Sequence, residues 1–385
     1  MKELLNKFLN AMVAKKGSDL HLKASSQVRM RINGDLKIAS KNILSAKQVE
    51  GIVNSITNEE MQEKLHSHKS LDFTYVLDEN SRFRANVFYQ MNGLSAVFRI
   101  IPVKIPNIEQ LKLPDVIKGF ADVQRGLILV TGVTGSGKST TLAAILDRIN
   151  ETYPKHIITL EDPVEFVHKD KKCLINQRSI GQDSNSFSDA LPAALREDPD
   201  IILVGEMRDT ETIDLALHAA NTGHLVFSTL HTLDAKETIN RVIGMFPEQE
   251  QNRVRLSLAS VLQGVISQRL VKTTDGGRRA VTEVMVRTSR IEELIAENRD
   301  FEIPDTIAEG KEIYGSQTFD QHLFDLAQEG VITEELALQN ASSPSDLKLK
   351  FEGIGKGSTK KDGSDGGSGE MELEAFDFKE ESEEE

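Results

Sequence analysis

The residues best suited to chemistry in this chain lie together at Gly132, Val133, Thr134, Gly135, Ser136, Gly137, Lys138, Ser139 and Thr140. Gly132, Gly137, Lys138 and Ser139 fill every fixed position of G-x-x-x-x-G-K-[ST], the P-loop spacing. Leu127 to Thr131 before them is a short apolar, β-favouring run, and Leu142, Ile145, Leu146 and Ile149 after them recur at helical spacing. Strand, glycine loop and helix are the context the pattern needs. In such a loop backbone N–H groups turn inward around phosphate oxygens, and the helix N-terminus adds its partial positive charge. Lys138 is expected at the β- and γ-phosphates of ATP and the Ser139 hydroxyl at Mg²⁺. A plain glycine-rich turn would have no use for Lys-Ser at this offset.

Further candidates follow other apolar runs. Glu161, Asp162 and Glu165 come just past His156–Leu160 and could orient a metal-bound water or hold Mg²⁺; the bland alternative is a solvated acidic loop. Ile201–Val204 looks like the strand that bears a metal-ligating Asp in many P-loop proteins, with a departure. Gly205 holds that Asp's position and the carboxylate follows as Glu206, which could polarise the attacking water. His224 and His231 flank the run Leu225–Leu230, where an imidazole could donate to a γ-phosphate or simply be a satisfied strand-end histidine. Arg82, Arg84 and Arg99 fall on alternating segments far upstream. They are solvated strand arginines unless that region packs against a nucleotide, where guanidinium groups could stabilise charge on phosphoryl oxygens.

The elements that must position these residues divide the chain. Up to residue 100, an amphipathic helix over 2–16 (Leu4, Leu5, Phe8, Leu9, Met12, Val13) is followed by alternating strand patterns. Asn33-Gly34 marks a hairpin, and one further helix is expected from Ala46 to Leu65, with Ser45 and Gln48 at capping-box spacing. Three strands then follow, with turns at 78–81 and 91–93. This predicts a small α+β domain with an antiparallel sheet. Pro102, Pro106 and Pro114 mark 101–115 as a linker. Strand and helix then alternate over 116–352, predicting an α/β domain with a mainly parallel sheet and ligands at the carboxyl ends of its strands. From about Glu248 the chain reads as largely helical, with an apolar stripe of Val254, Leu258, Val261, Leu262, Val265 and Ile266 and another at Phe319, Leu323, Phe324 and Leu326. Residues 353–385 are rich in Gly, Ser and acidic residues and predict a disordered acidic tail, within which Met371, Leu373, Phe376 and Phe378 could form a partner-binding segment.

Composition narrows the class. No apolar run approaches a membrane span, the N-terminus has no signal-peptide core, and Cys173 is the single cysteine, so the protein is expected in the cytosol without an intrachain disulfide or cysteine-based zinc site. Half of the net charge of −14 lies in the tail, the rest of the chain is only mildly acidic, and nothing marks a general nucleic-acid binder.

With these residues in view, the chain resembles the secretion-ATPase superfamily, and within it the type IV pilus retraction (twitching motility) ATPases of the PilT/PilU type, from about residue 1 to residue 352. The likeness rests on Gly17-Ser-Asp-Leu-His-Leu22, Arg82-Phe-Arg-Ala-Asn-Val-Phe88, the P-loop, the acidic box at 158–166, Ala194 to Asp209, and the histidine box Thr222 to Thr232. It implies a PAS-like N-terminal domain, a RecA-like ATPase domain with a helical C-terminal part, and a homohexamer. Partners would be a platform protein at the inner face of the cell membrane and a paralogous motor ATPase. It also implies Glu206 as the catalytic glutamate, Glu165 as the working carboxylate of its box, and His224 and His231 as nucleotide-sensing residues. Arg82, Arg84 and Arg99 match the N-terminal arginines that reach nucleotide. Two departures stand out. An Ala-Ile-Arg-Asn-Leu-Ile-Arg-Glu segment usual in the PilT type is replaced by Ser289-Arg-Ile-Glu-Glu-Leu-Ile-Ala-Glu297, without its two arginines. The stretches 317–325 and 343–349 look more like the PilU type. The alternatives are an accessory PilU-like subunit with weak activity of its own, a pilus-assembly or type II secretion ATPase (these commonly carry a Cys-x-x-Cys insertion), and a nucleic-acid translocase, for which no basic-aromatic stacking surface is present.

Overall fold

The computed structural model describes residues 1–32, 34–78, 81–102 and 104–353. The expected turn residues Asn33, Glu79 and Asn80, and the tail beyond Gly353, lie outside the described residues.

Amphipathic patterning builds the first half. Helix α1 (Lys2–Ala14) buries Leu5, Leu9 and Met12, three residues of its predicted stripe. Strands β1 (Asp19–Lys23), β2 (Ser26–Ile32) and β3 (Asp35–Leu44) follow. The single helix expected from Ala46 to Leu65 is two: α2 (Ala46–Asn54) and α3 (Glu59–His68). The predicted capping box of Ser45 and Gln48 opens α2. The break comes from local polar chemistry the periodicity conceals. Thr57 Oγ1 donates to Val53 O, and the Asn58 side chain accepts from Met61 N, starting a new helix. Strands β4 (Ser70–Asp78), β5 (Ser81–Gln90) and β6 (Gly93–Ile101) complete an antiparallel sheet of order β3-β2-β1-β6-β5-β4. One face of it packs on the helices through Leu20, Leu22, Phe83, Val87 and Phe98.

Residues 104–115 form no long element, yet Ile108 and Leu113 are buried in the next core, leading into α4 (Val116–Gly119). The second half has a seven-stranded sheet. Its elements in chain order are β7 (Gly126–Thr131), α5 (Lys138–Thr152), β8 (His156–Glu161), β9 (Leu174–Ser179), α6 (Phe187–Ala194), β10 (Ile201–Val204), α7 (Thr210–Asn221), β11 (Leu225–Leu230), α8 (Ala235–Gly244), α9 (Glu248–Val261), β12 (Leu262–Lys272) and β13 (Arg278–Val286). The order β13-β12-β7-β11-β10-β8-β9 is parallel except for β13. Strands buried on both faces need apolar residues at successive positions, and the alternation still sorts them. Leu127, Leu129, Ile202, Val204 and Val226 meet the core under α6–α9, while Ile128, Val130, Leu203 and Phe227 meet α5 on the other side.

The stripe expected to continue helically from Val254 to Ile266 is divided. Helix α9 stops at Val261, and Val265 and Ile266 lie on β12, paired in parallel with β7. A continuous run such as Val-Leu-Gln-Gly-Val-Ile serves a buried strand as well as a helix; the vacant edge of β7 decides. Helices α10 (Ser289–Ala296), α11 (Ile303–Glu309), α12 (Lys311–Tyr314), α13 (Phe319–Gln328), α14 (Glu334–Asn340) and α15 (Pro344–Phe351) finish the described chain. Arg255 on α9 ties this region in, donating to both Asp300 carboxylate oxygens at 2.8 and 2.9 Å and to Ile295 O at 3.0 Å.

His322, buried on α13, carries a pH consequence. Its Nδ1 accepts from Thr282 N at 3.0 Å on β13, which requires that nitrogen to carry no proton. Burial foremost lowers its pKa to about 4; Arg279 and Lys311 also oppose protonation, and Thr282 and Asp325 favour it. A depressed folded value means stability is complete above the ordinary value of 6.5 and is lost as pH falls through the folded value of about 4. We expect unfolding free energy in urea to fall between these limits by about 1.4 kcal/mol more per pH unit than in His322→Asn. Equal slopes in the two proteins would remove this role.

Candidate functional site

Strand β7 delivers the phosphate loop, and α5 begins at Lys138 directly after Gly137. Gly132 is required twice over: its φ is +136°, and an added Cβ would lie 2.3 Å from Gln268 O on β12. Gly135 and Gly137 also hold positive φ, with open space where a side chain would stand. Lys138 is buried, its Nζ donating to Gly132 O at 2.7 Å and Val133 O at 3.3 Å. Burial lowers its pKa, against the opposing charges of Glu206 and Glu165.

The loop opens into a cleft of about 690 Å³. Thr134, Gly135, Gly137, Lys138, Ser139, Thr140, Glu165, Glu206 and His231 line it, as does Arg84 from the first sheet. The ends of β8, β10 and β11 therefore converge here, as parallel-sheet topology requires. Gly132 and Val133 support it through their carbonyls, and the Ser136 hydroxyl is buried in the loop without a hydrogen-bond partner among the described residues.

Glu206 sits two residues past β10. An added Cβ at Gly205 would meet Leu160 O at 3.1 Å and Glu161 Cα at 3.2 Å, so this strand end has little room for a side chain at 205 and the carboxylate falls one position later. Glu206 Oε2 lies 2.8 Å from Arg208 Nη2, and Oε1 lies 3.2 Å from His231 Nε2. Burial alone would raise its pKa, but the Arg208 hydrogen bond and charge, with His231, outweigh that and hold it below the usual range. The site thus keeps an ionised carboxylate near the phosphate loop.

The acidic box separates into different roles. Glu165 and Asp162 face the cleft exposed. Glu161 also lines the cleft, but it is less exposed and accepts from Thr159 Oγ1 at 2.7 Å, Gln177 Nε2 at 3.2 Å and Glu165 N at 3.4 Å. Burial, ahead of its neighbours, raises its pKa. Gln177 also donates to Phe166 O and accepts from His168 N, so this pair fastens the loop that carries Glu165. His168 lines the cleft with its pKa lowered to about 4 by burial, so it is neutral there.

Three candidate residues are not brought to this cleft. His224 precedes β11 at the end opposite His231, its Nδ1 3.0 Å from Ala219 O. Arg99 is held by Asp19, its Nε donating at 2.7 Å, and Arg82 pairs across from Ile101. Arg208, Gln177, Phe166, Phe187, Leu270 and Arg278 belong to the site and were not singled out by sequence reasoning. Arg208 could have been found by seeking the cation for a strand-end carboxylate two residues away; the others leave no local signal.

Among the described residues no group of three or more His, Cys, Asp or Glu side chains stands ready to hold a metal by itself. The Ser139 hydroxyl, in one cleft with Glu165 and Glu206, suits instead a hard cation held largely by phosphate oxygens and water. No helix among the described residues is long and apolar enough to cross a membrane.

Residues 1–336 match the family of type II/IV secretion system proteins. The chain is 49% identical over 337 residues to the type IV pilus retraction ATPase PilT of Pseudomonas aeruginosa, covering 87% of this chain and 98% of that one. It is 46% identical over 321 residues to a twitching motility protein of Neisseria gonorrhoeae, covering 83% and 86%. The crystal structure of a pilus retraction motor PilT with bound ADP superposes with a TM-score of 0.83 at 42% identity, covering 89% of this chain and 98% of the other. With an N-terminal α+β domain, a RecA-like domain carrying the phosphate cleft and similarity of this extent, the chain belongs to the type II/IV secretion ATPases, among the pilus retraction ATPases of the PilT/PilU type.

Proposed function

We propose that this protein is an Mg²⁺-dependent ATPase motor that powers type IV pilus retraction and twitching motility. The observation that carries the reading is the convergence of Lys138, Glu206 and His231 with Arg84 of the first sheet on one cleft. ATP binds there between the two sheets, its phosphates against the loop amides and Lys138. Ser139 is the protein's ligand to Mg²⁺, which when bound neutralises charge on the β- and γ-phosphate oxygens. Glu206 orients the attacking water, Arg208 and His231 hold its carboxylate in place, and Glu165 orders water on the facing loop. Arg84 offsets charge developing on the γ-phosphoryl oxygens. Because Arg84 and Lys138 come from different sheets, loss of that phosphate removes a bridge between them and frees one to turn against the other. Domains at 1–100 and 116–352 joined by 101–115 are the bodies that would turn.

We further propose a homohexamer at the cytoplasmic face of the inner membrane, turning a platform protein and cooperating with a paralogous ATPase, with no role for nucleic acid. In that ring Arg82 and Arg99 would reach the nucleotide of a neighbouring copy, and His224 would sense it. A second reading, an accessory subunit with little turnover of its own, draws on α10, where Glu292 and Ala296 replace the two arginines and Glu292 instead pairs with Arg287 at 2.6 Å. Deletion in the source organism should leave cells with excess surface pili and no twitching, restored by the wild-type gene. Cells without pili would overturn the retraction reading in favour of assembly. Purified protein releasing no phosphate alone would favour the accessory one.

A further inference from the structure

Strand β3 closes one side of the first sheet, so among the described residues one of its backbone edges has no strand partner. It is ten residues long and carries Leu36, Ile38 and Ile43 at 42%, 59% and 65% exposure. The register gathers all three on one face. Leu36 lies opposite Arg31, Ile38 opposite Arg29, and beyond a register shift Ile43 opposite Gln27. Residues 27, 29 and 31 alternate onto the same side of β2. Lys37 and Lys41 on β3 are exposed, as is Arg29 on the neighbouring strand. A long, apolar, uncovered edge invites another strand, and proteins usually shorten, charge or cover it. Here the lysines and the irregular register blunt the edge only partly.

The chain supplies a segment of matching chemistry. Residues 370–378 read Glu-Met-Glu-Leu-Glu-Ala-Phe-Asp-Phe, with Met371, Leu373 and Ala375 alternating with Glu370, Glu372 and Glu374 at the period of a strand. Every charged residue from Glu370 onward is acidic except Lys379. The intervening stretch 354–369 is rich in Gly and Ser. A tether of that composition and length spans about 22 Å on average and about 55 Å at full stretch, and a segment tethered within that reach has an effective concentration near millimolar.

We propose that the segment Glu370–Phe378 docks along the free edge of β3. Met371 and Leu373 lie beside Leu36 and Ile38, and the alternating glutamates lie beside Lys37. Main-chain hydrogen bonds along the edge supply affinity, while the apolar-acidic alternation selects the register. The tail thus covers an edge that would otherwise pair with foreign strands.

The test uses the full chain with Ile38→Cys and Leu373→Cys, in which the native Cys173 is buried and inert. Mild oxidation should give a crosslinked species that Ile38→Cys alone does not form. It should diminish at least fivefold in about 1 M salt, where charge attraction is screened within roughly 3 Å. A band of monomer size assigns the contact to one chain and a dimer-size band to a neighbouring copy, both supporting the docking. Amide exchange over 35–44 should be at least threefold slower in the full chain than in a chain ending at Gly353. No crosslink with equal, fast exchange in both chains overturns the proposal. Slow exchange in both that rises with concentration also overturns it, giving the edge to a second copy's folded body.

Discussion

Glu206→Gln leaves nucleotide binding intact and lowers turnover by about 10²–10⁴, the usual range for removing a positioned general base. The amide keeps the size of the carboxylate but loses its charge, and with it the ion pair to Arg208 at 2.8 Å and the contact to His231 at 3.2 Å. It touches none of the loop residues expected to hold phosphate, so affinity for ATP should change less than threefold. Titration with a fluorescent ATP analogue and phosphate release on the same preparation read the two effects separately. Undiminished release would remove Glu206 from the chemistry. Because its folded pKa is held below the ordinary 4.5, the carboxylate stays ionised down to lower pH than a free glutamate. An acid-side loss of activity at ordinary carboxylate values therefore belongs to another group.

Lys138→Ala acts on the other side of the same cleft and shows a different signature. The side chain is buried, and the ammonium spans the loop through Gly132 O and Val133 O. Its removal takes away charge-assisted hydrogen bonds to phosphate worth together roughly 3 kcal/mol, about a hundredfold in affinity. Calorimetric titration with ATP should show that loss directly, with turnover falling in parallel. Lys138→Arg should rescue little, since a planar guanidinium cannot replace a compact ammonium in so tight a loop. Affinity kept within threefold in Lys138→Ala would mean that the loop amides alone hold the nucleotide.

The two variants bear on residues whose legibility in the sequence differed. Lys138 was readable because every part of its environment is contiguous: strand, glycines and helix occupy a single run, and local backbone geometry suffices to form the loop. Glu206 was readable with slightly more work, as a carboxylate directly after a buried strand. Its partner Arg208 lies two residues on and shows no pattern by itself; only the closing of the loop after β10 turns the guanidinium back onto the carboxylate. Glu161 shows the opposite case, a residue of the right type in the right box. It lines the cleft, yet its carboxylate is already engaged by Thr159, Gln177 and the Glu165 amide.

What the sequence determined alone was therefore local: the phosphate loop, the strand ends that carry carboxylates and His231, the α+β and α/β character of the two halves, and the capping box at Ser45. Each depends on residues close together in the chain, where propensity and periodicity act directly. Tertiary structure decided what depends on residues far apart. It took Val265 and Ile266 out of a helix because β7 offered an unpaired edge. It chose Arg84, rather than Arg82 or Arg99, for the cleft, although all three share one face of the first sheet. Alternation along a strand specifies a face, but only the packing of one sheet against the other specifies which residue on that face meets the phosphate loop.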